Sequence, residues 1–185
     1  MKVVAISVGR PREVEWRGDR VLTSIFKEPR TGRVHAGREN LEGDEQSDLS
    51  VHGGRDKAVY AYPSEHYDFW RRELILDTLN WGAFGENLTT QGMLETEVCI
   101  GDRYRIGTAE FIVTQPRMPC YKLGVRFGRS DMVKRFYRSR RSGFYFAVAV
   151  EGDVESGDDV KLLGRDSGAV TIAASFLNGG RDQDD

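Results

Sequence analysis

The sequence predicts a mainly β protein, a largely antiparallel β-barrel or closed sheet with two helices inserted, and three observations predict it. Short runs of β-branched and aromatic residues recur along the chain between glycine-rich turns. Two tight turns, Gly101-Asp102 and Gly107-Thr108, join neighbouring strand-like runs, which implies antiparallel pairing. Only two segments carry helical periodicity, and no internal repeat or low-complexity linker interrupts the pattern.

The first strand is expected over residues 3–8, closed by Gly9 and Pro11, and the second over 21–26, closed by Pro29 and Gly32. From Thr31 to Gly54 the chain is polar and rich in glycine, which reads as a long irregular segment of the kind that carries function. Strand character resumes over 58–62. Pro63-Ser64-Glu65 then starts a helix in which Tyr67, Trp70 and Leu74 share one face. Strands follow at 97–100, 104–106 and 111–113. A second helix is expected to be capped by Ser130, with Met132, Val133, Phe136 and Tyr137 as its apolar stripe. Residues 144–150 and 159–163 complete the strands, 170–173 form a last short one, and the tail from Asn178 is expected to be disordered.

A chain of 185 residues with 39% hydrophobic residues can bury a core as one domain. The longest early apolar run is too short for a signal sequence or a membrane span, so a cytoplasmic protein with no membrane partner is expected. Two cysteines, Cys99 and Cys120, make no disulfide framework. The formal charge of −2 hides a basic segment: residues 117–141 hold nine Lys and Arg against Asp131 alone, a net +8. Such a stretch meets an anionic ligand, an acidic partner or simply solvent.

The short motifs of phosphate loops, dinucleotide folds, zinc proteases and dithiol redox sites are absent. Cysteine and histidine spacings do not match a structural zinc site. Cys120 follows a strand within Gln115-Pro116-Arg117-Met118-Pro119-Cys120-Tyr121-Lys122, where two prolines stiffen the backbone. Nearby Arg117 and Lys122 favour a thiolate, both a nucleophile and a soft-metal ligand. Cys99, between Val98 and Ile100, reads as a small core residue. A second cluster runs from Asp48 to Lys57. Its paired Gly53 and Gly54 let backbone N–H groups approach a ligand, while His52, Arg55 and Lys57 add donors for an anion; a plain glycine turn into a strand explains it equally well. Lys27, Arg30 and Arg33 flank a third basic turn.

Six ordered segments carry a resemblance: Lys27-Glu28-Pro29-Arg30-Thr31-Gly32, Gly43-Asp44-Glu45-Gln46-Ser47-Asp48, His52-Gly53-Gly54-Arg55-Asp56-Lys57-Ala58, Gly85-Glu86-Asn87-Leu88-Thr89, Ile100-Gly101-Asp102, and Gln115 to Cys120. In this order they resemble the MOSC family, named for the C-terminal domain of molybdenum-cofactor sulfurases, over about residues 1–165, with 166–185 left as a short, partly disordered extension. The chain is most similar to small bacterial stand-alone members that reduce N-hydroxylated bases, without the C-terminal helical extension of the longer ones. The resemblance implies a MOSC-type β-barrel holding a molybdenum cofactor (molybdopterin), with Cys120 as the protein's ligand to the metal and the catalytic position. It also implies that Lys27, Arg33, His52, Gly53, Gly54, Asp56, Lys57, Asn87 and Arg117 hold the pterin and its phosphate. The implied activity is reduction of N–OH to N–H in a small substrate. Because the chain carries no dinucleotide, haem or iron–sulfur motif, the electrons come from a separate reductase. The family offers a second activity, sulfur transfer through a Cys120 persulfide. The non-enzymatic alternatives are a cofactor-binding module and nucleic-acid binding through residues 117–141; nucleic acid is not the expected partner of a chain with one basic segment and a slightly negative total.

Overall fold

The computed structural model describes residues 1–47 and 53–179. Along the chain run β1 (Lys2–Val8), β2 (Arg12–Trp16), β3 (Asp19–Thr23), β4 (Glu28–Arg30), β5 (Val34–Ala36), β6 (Val59–Pro63), α1 (Tyr67–Leu74), β7 (Leu88–Gln91), β8 (Arg103–Ile106), β9 (Ala109–Pro116), α2 (Lys122–Phe127), α3 (Met132–Ser139), β10 (Phe144–Val150), β11 (Gly152–Val154), β12 (Val160–Gly164) and α4 (Ile172–Gly179).

Eight strands form one sheet in the order β12-β8-β9-β10-β6-β7-β1-β4. The expected antiparallel pairing holds along it except for β6 and β7, which run parallel with Ala61 opposite Leu88. The connection between those two strands carries α1, as a parallel crossover must. At the far side the sheet curls back on itself: Lys2 bridges Asp159, and the Val160 N–H donates to the Met1 carbonyl at 3.0 Å. The result is barrel-like without a continuous closing ladder.

Alternation decides which side of each strand is inside. In β9, Ala109, Phe111 and Val113 point inward, and in β10 Phe144, Phe146 and Val148 do the same. These side chains join Ile6, Leu88, Tyr104 and Ile106 in the barrel core. A second core lies outside the sheet, where Tyr62, Trp70, Phe84, Leu123, Met132 and Phe136 pack α1, α2 and α3 against β6. Tyr67, Trp70 and Leu74 are the buried face of α1, as their spacing predicts, and the helix stops where Ile75 takes a left-handed conformation at φ 55°.

Several local expectations are corrected. Residues 12–23 form a β2–β3 hairpin, so the second strand ends at Thr23 and not at Phe26. The polar segment after Thr31 contains β5, paired with β11. Residues 97–100 are turns with a single bridge from Cys99 to Thr171; Cys99 is nevertheless buried, held through its N–H by Asp102. Ser130 does not cap α3, because Asp131 occupies the N-cap position and its carboxylate is spent on Arg129 and Arg135. A further short helix, α2, follows Cys120. Residues 172–179 are helical where the end of a strand over 170–173 and the start of a disordered tail are expected, because Ile172 and Phe176, one turn apart, find buried places and Phe176 meets the Tyr137 ring at 5.2 Å; the rest of that tail, 180–185, lies outside the described residues.

Candidate functional site

The parallel β6–β7 junction, the end of β9 and the start of β10 converge on one cleft. It encloses about 610 Å³ including its mouth, and its lining includes Ser24, Lys27, Asp44, Lys57, Arg117 and Cys120. Cys120 sits in the strand-to-helix turn between β9 and α2, partly exposed, with its carbonyl accepting the Leu123 N–H at 3.0 Å. The strand end and the first helical turn therefore hold it from both sides.

Arg117, three residues before Cys120, is 6% exposed. Its guanidinium lies over the Tyr60 ring at 4.9 Å and the Phe136 ring at 5.3 Å. Burial alone would lower its pKa, but Tyr60, Tyr145 and Cys120 around it outweigh that effect and keep it charged. The same burial raises the pKa of Tyr60 and of Tyr145, so both phenols stay protonated beside the guanidinium. The two tyrosines face each other across the β6–β10 register, with rings 5.3 Å apart. Arg117 Nη1 is buried and has no hydrogen-bond partner among the described residues. A charged donor left over in this way is built to receive an anion.

Another part of the lining is a buried polar knot. The Lys27 ammonium pairs with Asp44, whose Oδ1 also accepts the Gly9 N–H at 2.8 Å. Asn87 Nδ2 donates to Asp44 Oδ2 at 2.9 Å and to the Ser7 carbonyl at 3.3 Å, while Asn87 Oδ1 accepts the Tyr60 N–H at 3.0 Å. Asn87 thus lines the cleft but spends its amide on holding Asp44 and β6. Burial pulls the Lys27 pKa below the ordinary lysine value, and Asp44 and Glu86 offset part of this. Behind Gly85, the buried Glu86 carboxylate accepts from the N–H groups of Gly82 and Phe84, the Thr89 hydroxyl and the Tyr67 hydroxyl.

The other residues singled out in the sequence divide. Gly53 and Lys57 line the cleft. The Gly54 N–H donates to Gln46 Oε1 at 3.2 Å, and Gln46 Nε2 donates to the Lys57 carbonyl at 3.3 Å, so the glycine pair shapes the loop through Gln46. Asp56 is exposed and outside the lining; its carbonyl accepts the Thr114 hydroxyl at 2.6 Å. Arg33 is not brought to the cleft: it is solvent-exposed, 3.6 Å from Glu155, beside a separate surface groove with Arg30. His52 and Asp48 lie outside the described residues. Sequence reasoning missed Ser24, Gln46, Tyr60 and Tyr145 as lining residues. Lys122 was legible only as a neighbour of Cys120; its ammonium donates to Ser47 Oγ at 3.2 Å. The available signal was the tyrosine hydroxyl, which in a buried strand needs a polar partner.

Among the described residues no group of three or more His, Cys, Asp or Glu side chains stands close enough to hold a metal ion. Among the described residues Cys120 is the one soft ligand in the lining, so a metal held by these residues brings its remaining ligands with it. The residues otherwise present are donors suited to an anion: Arg117, Lys57, Lys122 and the Ser24 hydroxyl, which is buried and unpartnered among the described residues.

The chain is similar to several known proteins. The chain is 45% identical over 176 residues, 95% of its own length and 78% of the other, to the uncharacterized protein YflK of Bacillus subtilis. The crystal structure of YiiM from Geobacillus stearothermophilus superposes with a TM-score of 0.81 at 36% identity, covering 100% of this chain and 86% of that one. A protein of Gibberella moniliformis named reductase is 38% identical over 151 residues, which is 80% of this chain and 27% of that protein. With residues 48–161 matching the MOSC domain model as well, the chain belongs to the MOSC domain family.

Proposed function

We propose that this protein binds a molybdenum cofactor in the cleft and reduces N-hydroxylated compounds, N–OH to N–H, with electrons from a separate reductase. The observation that carries the reading is the meeting of Cys120 with the buried, incompletely satisfied Arg117 guanidinium in one cleft. Membership of a family known for binding this cofactor and a relative named reductase support it.

In this reading Cys120 Sγ is the protein's ligand to the metal, and Arg117, Lys57, Lys122, Ser24 and the Gly53 backbone face the pterin and its phosphate. When bound, the cofactor supplies two-electron redox chemistry. The protein's part is positioning. Pro119 and α2 fix the thiolate, and Phe136 and Tyr60 hold the Arg117 charge in place before any ligand arrives. Tyr60 and Tyr145, both protonated, close the wall behind it against water. The conversion takes two electrons and two protons and releases water. The exposed Lys134 and Arg138 of α3 lie on the far side of a helix whose Phe136 touches Arg117, and this basic face is the proposed docking surface for an acidic electron donor.

The test is elemental and pterin analysis of protein made in a host that synthesises the cofactor. Near-stoichiometric molybdenum and pterin in the wild type, with molybdenum lost in Cys120→Ala at unchanged melting temperature, is the expected result. Protein without metal or pterin, carrying one extra sulfur on Cys120 by mass spectrometry, overturns the reading in favour of sulfur transfer.

A further inference from the structure

Two arginines beside the cleft have no part in the reading above. Phe26 lies between Ile25 and Lys27, which both line the cleft. The Arg12 guanidinium sits 3.7 Å from the centre of the Phe26 ring, and the Arg126 guanidinium 5.2 Å from it. Arg126 follows the cleft-lining Lys122 by one turn of α2, so the two side chains share a face of that helix. The pair therefore extends the cationic wall from the cleft outward.

The ring contacts hold these guanidinium groups without satisfying their N–H donors. Arg126 Nε is buried and lacks a hydrogen-bond partner among the described residues. Neither arginine takes part in an ion pair among the described residues; of the two acids of β2, Glu13 pairs with Arg20 at 3.7 Å and Glu15 stands opposite Arg20 in the hairpin register. Two like charges on one aromatic ring repel each other, and Arg12 adds to burial in lowering the Arg126 pKa. Glu86 and Tyr67 offset only part of this, since the pKa stays lowered and the Nε donor stays open, whereas an oxyanion reaching both guanidinium groups would answer both the repulsion and the open donor.

We infer that Arg12 and Arg126 form an anion subsite at the edge of the cleft that takes a phosphate or carboxylate group of the substrate. The inference rests on the reductase reading and narrows it: the preferred substrates are N-hydroxylated compounds that carry an oxyanion. The phosphate of the cofactor has its own donors in Arg117, Lys57 and Lys122, inside the lining, whereas Arg12 and Arg126 stand outside it.

The test compares an N-hydroxylated cytidine with its monophosphate, two probes that differ only in the phosphate, on cofactor-loaded protein. Affinity is read by calorimetry and reduction by product analysis, for wild type, Arg12→Gln, Arg126→Gln and Arg126→Lys. Arg12 is exposed, so its variant is the milder of the two, and melting temperatures check every variant for lost packing on Phe26. The expected result is that wild type binds the monophosphate about tenfold more tightly, that the gap closes in both Gln variants, and that Arg126→Lys retains part of it. Equal affinities in wild type, or a gap that survives both Gln variants, overturns the subsite. Pterin lost from the Gln variants overturns the substrate assignment in favour of the cofactor's own phosphate. Discrimination in binding without reduction of either probe supports the subsite and removes the reductase reading; reduction of both without discrimination does the reverse.

Discussion

Lys27 and Asp44 form an ion pair in the wall of the cleft with only 8% and 3% of their side chains exposed. Asp44 is the hub of that wall, because the same carboxylate holds the Gly9 N–H and the Asn87 amide. The pair joins the irregular segment after β5 to the end of β1 and to the start of β7, and so sets the shape of the cleft before any ligand binds.

Removing the acid leaves a buried ammonium without its counter-charge. Asp44→Ala is expected to cost about 3–5 kcal/mol in urea denaturation. Lys27→Met is expected to cost less, since Asp44 keeps the Gly9 and Asn87 donors. The Lys27 pKa is depressed in the folded protein. Between that depressed value and the ordinary one the unfolded chain binds more protons, so wild-type stability rises with pH across the interval, a slope that Lys27→Met removes. An Asp44→Ala variant as stable as wild type would show that the pair is not structural.

Glu86 gives the opposite sign. Burial raises its pKa above the ordinary 4.5, although Tyr67, Gly82 and Thr89 donate to its charged form. From 4.5 up to the raised value the folded protein holds the extra proton, so stability falls as pH increases through that window. Glu86→Gln turns an amide nitrogen toward one of the two N–H donors at 2.8 and 3.0 Å, and the expected loss is about 1–3 kcal/mol. Its melting temperature should vary less than that of wild type as pH rises from the ordinary 4.5 through the raised value; parallel pH curves for the two proteins would contradict the assignment.

Gly143 opens β10 at φ 60°, and a β-carbon there would stand 2.4 Å from the Ala61 carbonyl oxygen and 2.8 Å from the Tyr60 and Tyr62 rings. Gly143→Ala must therefore push β10 away from β6 and displace the Tyr60 side of the Arg117 site. A loss of at least about 2 kcal/mol is expected. Gly157→Ala, also at positive φ but with open space around it, should cost about 1 kcal/mol and provides the comparison in the same thermal melts.

Arg165 reaches back from the end of β12 to the buried Asp102, Nε to Oδ1 at 2.6 Å and Nη2 to Oδ2 at 2.7 Å. Burial alone would raise the Asp102 pKa, but Arg165, the Cys99 N–H and Tyr104 hold it below the ordinary 3.8. This stabilisation is present above the ordinary value and disappears as pH falls through the lower folded value. Arg165→Ala is expected to cost about 2 kcal/mol near neutral pH, with a penalty that shrinks in acid. A penalty unchanged by acidification would place its cause elsewhere.

The sequence by itself determined the mainly β architecture, the buried face of α1 and the β8–β9 hairpin, because each rests on short-range rules: alternation, one-turn spacing and tight-turn chemistry. It also made Cys120 and Arg117 legible as a cation beside a thiol, since three residues of chain keep them together whatever the fold. Only the tertiary structure decided which distant groups share the site. Nothing local predicts that Lys27 meets Asp44, that Asn87 spends its amide inside the wall, or that Arg33 turns away to Glu155. The parallel β6–β7 pair and the α4 helix depend in the same way on which surfaces are left to cover. Arg12 and Arg126, more than a hundred residues apart, meet at Phe26 only when the β2–β3 hairpin and α2 are both in place. Pairings of this kind are chosen by burial and charge balance over the whole domain, which a local pattern does not contain.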